Sequence, residues 1–322
     1  MMPRIFIGGT KAGCAVPLQE GFDWLGLSKS IRWSDRIAIK PNLTFPHYKP
    51  GVMTSPLVLE EVLKLLRQYS NNVTIVESDA GGYNRFSMDE VFNTTGIREC
   101  AKRLGVAIVN LSNEPARRIG LKSKLRDLSV PLPRILLDET DLFITMPVPK
   151  IHMNTKVSLS IKNQWGVIQN PADRLKLHPY FKYVIHAIHK SLPTTVSIVD
   201  GSFGLTRSGP LRGDPIELGW VLMSDSIYHA DYAVCELMGI PSKHVSYLRH
   251  ILNKERVTSL DGVALNRSLD EYKSNQFFLH RAWTDYPGLF TFRSRLLAYI
   301  GYESIWARPL HKLLYMFREP FY

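Results

Sequence analysis

Short apolar runs recur along the chain, separated by stretches of helical periodicity. Ile5-Phe-Ile7 opens the series, followed by Arg36–Lys40, Asn72–Glu77, Val106–Asn110, Leu142–Met146 and Val196–Asp200. Between the second and third runs, Ser55-Pro56 supplies a capping serine and a proline suited to the first helical position, with Glu60 and Glu61 early in the helix that follows. Met88–Leu104 also reads as helical and is closed by Gly105; a further helix is expected over about 176–191. Strands alternating with helices predict an α/β fold, with a largely parallel sheet flanked by helices. Residues 115–134 break the rhythm and are expected as an excursion at the sheet edge. From Asn154 onward the spacing of Val157, Ile161 and Trp165 predicts a helix, with Lys156, Ser160 and Asn163 sharing its polar face.

Composition sets bounds on this picture. Of 322 residues, 45% are hydrophobic and 21% charged, enough apolar content for one large domain or two closely fused ones. No apolar run approaches the roughly 18 residues that span a bilayer, and the N-terminal run is too short for a signal peptide, so a cytoplasmic chain is expected. Cys14, Cys100 and Cys235 stand far apart, which argues against a zinc ribbon, an iron–sulfur cluster or a disulfide framework. The net charge of +11 favours acidic partners. Basic residues gather between Arg98 and Asp127, including Arg117, Arg118, Lys122, Lys124 and Arg126, but without interleaved aromatics. A solvated face is the expectation there, and nucleic-acid binding is disfavoured.

Character changes near residue 250, dividing the chain into an α/β domain over 1–250 and a C-terminal extension over 251–322. Residues 286–322 combine Phe290, Phe292, Tyr299, Trp306 and Phe321 with Arg293, Arg295, Arg308, Lys312 and Arg318. Such an aromatic-basic helical tail suits packing across the core or a partner copy. It also suits peripheral docking on an anionic membrane.

The most informative stretch is Pro147–Gly166. It concentrates Lys150, His152, Asn154, Thr155, Lys156, Lys162 and Asn163 directly after an apolar strand, and no acid occurs between Asp141 and Asp173. Ligands of open α/β sheets sit outside the carboxyl ends of strands, so uncompensated positive charge there points to an anion. Other strand ends add Lys40-Pro-Asn42, the carboxylates of Glu77-Ser-Asp79 before Gly81-Gly82, and His178. Asp200-Gly-Ser-Phe-Gly204 reads as a strand end entering a Gly-rich loop that continues through Arg207 and Arg212 to Asp214. It lacks both the Walker ending and the dinucleotide fingerprint. Asp79, His152, His178 and Asp200 are the candidates for holding a divalent metal, although no metal-binding spacing is present.

Lys40-Pro-Asn42, Lys150-x-His152 with Thr155, Lys162-Asn163-x-x-Gly166, His178, Asp200-Gly201 and Gly209-Pro-x-x-Gly213 occur in an order that resembles the DUF362 family, over roughly residues 36–240. The resemblance implies an α/β domain. Longer members carry ferredoxin-type iron–sulfur modules; this chain has no cysteine cluster, and its aromatic-basic tail stands in that place. The family name gives no reaction.

The expected function is an enzyme acting on a small carboxylate or phosphate compound. Lys40, Lys162 and Arg212 would hold the anion, His152 would act as general acid and base, and Asp200 or Asp79 would orient it or bind a metal. Asn42, Lys150, Thr155, Lys156, Asn163, His178 and Arg207 complete the candidate substrate contacts. Isomerase, lyase or transferase chemistry fits better than redox chemistry, for which no cofactor motif is seen. The competing reading is a non-catalytic anion-binding protein with a docking tail.

Overall fold

The computed structural model describes residues 2–80, 86–122 and 127–317. Gly81, Gly82, Lys124, Arg126, Arg318 and Phe321 lie outside the described residues. The strands are β1 (Arg4–Gly9), β2 (Arg36–Pro41), β3 (Asn72–Glu77), β4 (Ala107–Asn110), β5 (Ala116–Lys122), β6 (Asp127–Pro133), β7 (Leu142–Met146), β8 (Lys150–His152), β9 (Lys156–Ser158), β10 (Thr194–Thr206), β11 (Asp214–Ser224) and β12 (Ala264–Leu265). The main sheet runs β12-β1-β11-β10-β7-β2-β3-β4, with β8 and β9 attached to β10. Neighbouring strands from β10 to β4 pair parallel; β11 alone is antiparallel to both its neighbours, β1 and β10.

The central strands are buried on both faces, as their unbroken apolar runs require. One hydrophobic cluster packs helices 15–25, 56–69, 88–94 and 97–104 on one face, through residues such as Phe22, Leu63 and Phe92; the single helix expected over Met88–Leu104 is two, parted at Gly96. The other packs helices 181–191, 227–237 and 246–254, through Ile185, Val234 and Ile251. Gly105 ends its helix in the left-handed region at φ 65°, where a glycine carries no steric cost.

The sequence-based picture needs three further revisions. Residues 150–158 form a hairpin, β8 and β9, in place of a helix; Ile151 and Val157 face each other across it in the core. The helix is only Ser160–Asn163, continued by a tighter turn over Gln164–Val167. Asp200 does not end a strand, because β10 continues to Thr206 and then hairpins into β11. Gly201 is a packing glycine: a Cβ there would lie 2.2 Å from the Trp220 ring. Residues 116–133 pair as a separate ribbon, β5 with β6, whose Arg117, Arg118 and Lys122 are solvent-exposed.

The division expected near residue 250 falls inside helix Ser246–Lys254, and β12 then returns to pair with β1. Past residue 280 the chain forms helices Tyr286–Thr291, Arg295–Tyr302 and Ala307–Tyr315. These cross the carboxyl ends of the parallel strands. Lys176 pairs with Glu303 at 3.1 Å, Phe292 packs on His178 at 4.5 Å between ring centres, and the Arg281 guanidinium donates to the Met153 carbonyl at 2.7 Å.

Candidate functional site

Beneath these helices lies a cavity of about 720 Å³. Its floor starts from the ends of two adjacent strands. Lys40 on β2 and Glu77 on β3 meet at 2.6 Å, both buried. Burial drives the ammonium down and the carboxyl up from their ordinary ranges, and the contact between them opposes both shifts. The Lys162-Asn163-x-x-Gly166 block is built around this pair. Asn163 donates to the Lys40 carbonyl and to Thr145 Oγ1, while its own carbonyl faces the Lys40 ammonium at 3.5 Å. Gly166 leaves room for the pair: a Cβ would sit 2.8 Å from Lys40 Nζ and 2.9 Å from Glu77 Oε1.

The short helix Ser160–Asn163 is pinned by Asp231, which accepts from the backbone N–H groups of Ser160 and Ile161 at 2.7 and 3.0 Å. A carboxylate at a helix N-terminus is favoured by the exposed amides and the macrodipole. Burial nevertheless pushes Asp231 up to about 7. This anchoring directs Lys162 to the cavity. Among the described residues Lys162 makes no hydrogen bond or ion pair; its ammonium stands 6.0 Å from the Phe181 ring centre.

Lys150 on β8 is also buried and donates to the Val52 carbonyl at 2.7 Å. Asn42 donates to the same carbonyl at 2.8 Å. Burial lowers both lysines to about 7; for Lys150 the neighbouring charges of Lys162 and then Lys40 add to it, for Lys162 that of Lys40. Arg174 completes the inner wall, donating to the Asp79 backbone carbonyl, and burial takes it down to about 10. Arg212 lines the same cavity.

His152 lies in the cavity wall with a defined tautomer. Its Nδ1 accepts from the backbone N–H groups of Asn154 and Thr155 at 3.1 and 3.4 Å, so the ring proton resides on Nε2. Burial first, then Lys162, His178 and Lys150, hold the ring neutral, well below its ordinary titration range. A neutral Nε2–H suits donation to a developing oxyanion better than proton abstraction. His178 accepts from the Asn154 side-chain amide at 3.3 Å and packs among Trp165, Phe181 and Phe292. Burial and Lys162 take it down to about 3.

Thus Lys40, Asn42, Lys150, His152, Lys162, Asn163, His178 and Arg212 come together around one cavity. Five other sequence candidates do not line it. Asp200 is buried and accepts from the backbone N–H groups of Ser55 and Ser202, which ties helix Pro56–Tyr69 to β10. Asp79 accepts from the Met88 backbone and from Asn110. Arg207 pairs with Asp214 at 2.9 Å on the surface. Thr155 and Lys156 shape the β8–β9 turn, Thr155 through its hydroxyl on the Val157 carbonyl and Lys156 through a left-handed φ of 70°. Among the described residues no three His, Cys, Asp or Glu side chains gather as a metal site requires, so the four proposed ligands do not form a set.

A family model described as "Domain of unknown function (DUF362)" matches residues 37–236, more than half the chain. The chain belongs to the DUF362 family. A thylakoid-associated protein of Synechocystis sp. is 22% identical over 228 residues, which cover 66% of this chain and 66% of that protein. Among solved structures, the lactate racemase apoprotein of Thermoanaerobacterium thermosaccharolyticum aligns with TM-score 0.44 and 16% identity, covering 72% of this chain and 56% of that one. A Thermotoga maritima protein aligns with TM-score 0.41 and 13% identity, over 71% and 60% of the two chains. In each case the alignment spans less than two thirds of the relative's own length.

The DUF362 match contains every cation of the cavity floor, from Lys40 to Arg212, whereas the helices that roof it lie beyond the match. Glu77 and Arg174 are floor residues to which the sequence reading gives no role of their own. Glu77 was visible as one of two carboxylates at the end of β3, and Arg174 as a lone arginine in Asn170–His178. In a DUF362 chain rich in surface arginine, only the tertiary contact with Asp79 distinguishes Arg174.

Proposed function

We propose that this protein is an enzyme that takes an anionic compound, carboxylate or phosphate, into the cavity and moves a proton on it. Lys150 and Lys162 carry the reading: two cavity lysines, each brought to about 7, facing a histidine held neutral. A lysine near neutrality is half protonated at cellular pH, so one of the pair can hold the anion while the other accepts a proton. His152 Nε2–H and Arg174 then stand as donors to the charge that develops. Isomerisation or elimination beside a carboxylate draws on such equipment, a base for the departing proton and donors for the charge left behind.

The binding half of the proposal has a defined pH signature. Sulfate keeps its charge over about pH 6 to 9, so any change in its affinity reports the protein. Protonated lysines attract it and deprotonated ones do not. Affinity measured by calorimetry is therefore expected to be highest below about pH 7 and to fall as pH rises through the lysine transition, by up to about tenfold per unit for each coupled lysine. An affinity that stays level from about pH 6 to 9 would reject the lysine pair as the binding element.

A second reading, a non-catalytic anion binder attached to a membrane by its tail, is favoured by the outer face of the roof. Trp283, Tyr286, Phe290, Ile305 and Trp306 are exposed there beside Arg293, Arg295, Arg308 and Lys312. Aromatic anchors flanked by bases suit an anionic bilayer surface. The Synechocystis relative bears the name thylakoid-associated protein, which agrees with such a placement. Among the described residues no helix is long and apolar enough to cross a membrane, so attachment would be peripheral.

A further inference from the structure

The cavity has two chemically distinct halves. The floor presents Lys40, Lys150, Lys162, Arg174 and Arg212; the opposite wall presents Phe292, Ile300, Leu310, Leu314 and Phe317. A volume of about 720 Å³ lies in the upper part of the range for pockets that enclose drug-sized ligands. A bare phosphate or a two-carbon acid would leave the apolar wall in contact with water.

The mouth adds a second observation. Trp283, Leu297, Leu313 and Phe317 line the cavity and are also 63%, 40%, 54% and 58% exposed. The opening is therefore on the aromatic-basic face of the roof. Among the described residues, twelve of the eighteen large exposed hydrophobic side chains lie between Trp283 and Phe317. A surface so enriched in apolar side chains marks an interaction site.

We infer that the ligand is an amphiphile, an acidic head on a single apolar chain, which passes from a lipid surface through this mouth with its head toward the lysines and its chain under the roof. The inference rests on the anion-binding reading above and names its substrate class. It explains why the roof is apolar inside as well as outside: the chain stays among hydrophobic side chains along its whole path. The roof meets the body of the domain at Lys176–Glu303, His178–Phe292 and Arg281–Met153, among other contacts, and these hold its apolar inner side over the lysines.

Chain-length dependence tests this directly. Calorimetric titration of the full chain with straight carboxylates from acetate to dodecanoate, and with methyl and octyl phosphate, is expected to show affinity rising roughly three- to fourfold per methylene. The octyl compound should exceed its one-carbon counterpart by more than about a hundredfold. Dodecyl maltoside, which has the chain without the charge, should bind far more weakly than dodecanoate. Leu297→Glu with Leu313→Glu should flatten the length series, with thermal melting reporting whether the variant folds. Dodecanoate presented in vesicles of phosphatidylcholine and phosphatidylglycerol should still be taken up, and Ile305→Ser with Trp306→Ser, outside the cavity, should lose that uptake while binding free dodecanoate normally.

Equal affinity for short and long chains would overturn the inference and leave the anion site standing. Equal binding of dodecanoate and dodecyl maltoside would overturn the anion site itself. Binding of free dodecanoate with no uptake from vesicles by the unaltered chain would overturn the lipid-surface route.

Discussion

Replacing Lys162 with methionine is expected to raise the melting temperature by several degrees and to abolish anion binding in the same variant. Lys162 is a charge placed in a cavity with no hydrogen-bond partner among the described residues, and its fall from 10.5 to about 7 records the cost. That shift bounds the stability cost at about 4–5 kcal/mol, which relaxation and cavity water reduce to about 1–3 kcal/mol. Methionine keeps the length and the contact with Phe181 without the charge. The sign follows from proton counting. Between about pH 7 and 10 the unfolded chain binds the lysine proton more tightly than the folded one, so stability rises with pH across that window. In the variant this slope should shrink by the share of one lysine. Thermal melts at several pH values and sulfate titrations measure both effects; a destabilised variant would show that Lys162 is structural.

Glu77→Gln is expected to act in the opposite direction and more strongly. It leaves Lys40 as a buried cation facing Lys150, Lys162 and Arg174 without its 2.6 Å partner. Breaking one side of a buried pair costs about 3–5 kcal/mol, a large fraction of the stability of a typical domain. Lys40→Met with Glu77→Leu should recover most of that loss, because replacing both members by apolar residues removes the stranded charge. Denaturant melts of Lys40→Met, Glu77→Leu and the variant carrying both give the coupling directly. Additive losses would mean that the two side chains do not form a pair in solution.

The fold was legible where periodicity and burial agree. The run Leu142–Met146 is buried throughout and sits centrally in the sheet, and the glycine at 105 closes its helix as its position suggested. Five cavity groups, the cations Lys40, Lys150, Lys162 and Arg212 and the neutral His152, were also readable, because strand ends and stretches rich in bases are sequence features. What escaped depends on contacts distant in the chain. Ile151 and Val157 face each other across a hairpin, yet the spacing of Val157, Ile161 and Trp165 equally fits a helix. Asp200 followed by glycine reads as a strand end, whereas the glycine answers to Trp220 on the next strand. At the end of β3 two carboxylates compete, and where the strand stops its alternation no longer decides which one faces the lysine. The aromatic-basic tail was conspicuous, but its position over the cavity rests on pairs more than a hundred residues apart, Lys176 with Glu303 and His178 with Phe292.

The account depends on two lysines whose ammonium groups titrate near neutrality beside a site for an anion. Nuclear magnetic resonance of lysine side chains, with Lys150→Met and Lys162→Met for assignment, follows each titration with and without sulfate. Two resonances moving with midpoints near about 7, and shifting upward when sulfate is added, is the predicted result. If every lysine titrates near the ordinary value of about 10.4 and none responds to sulfate, the cavity floor is not the anion site described here.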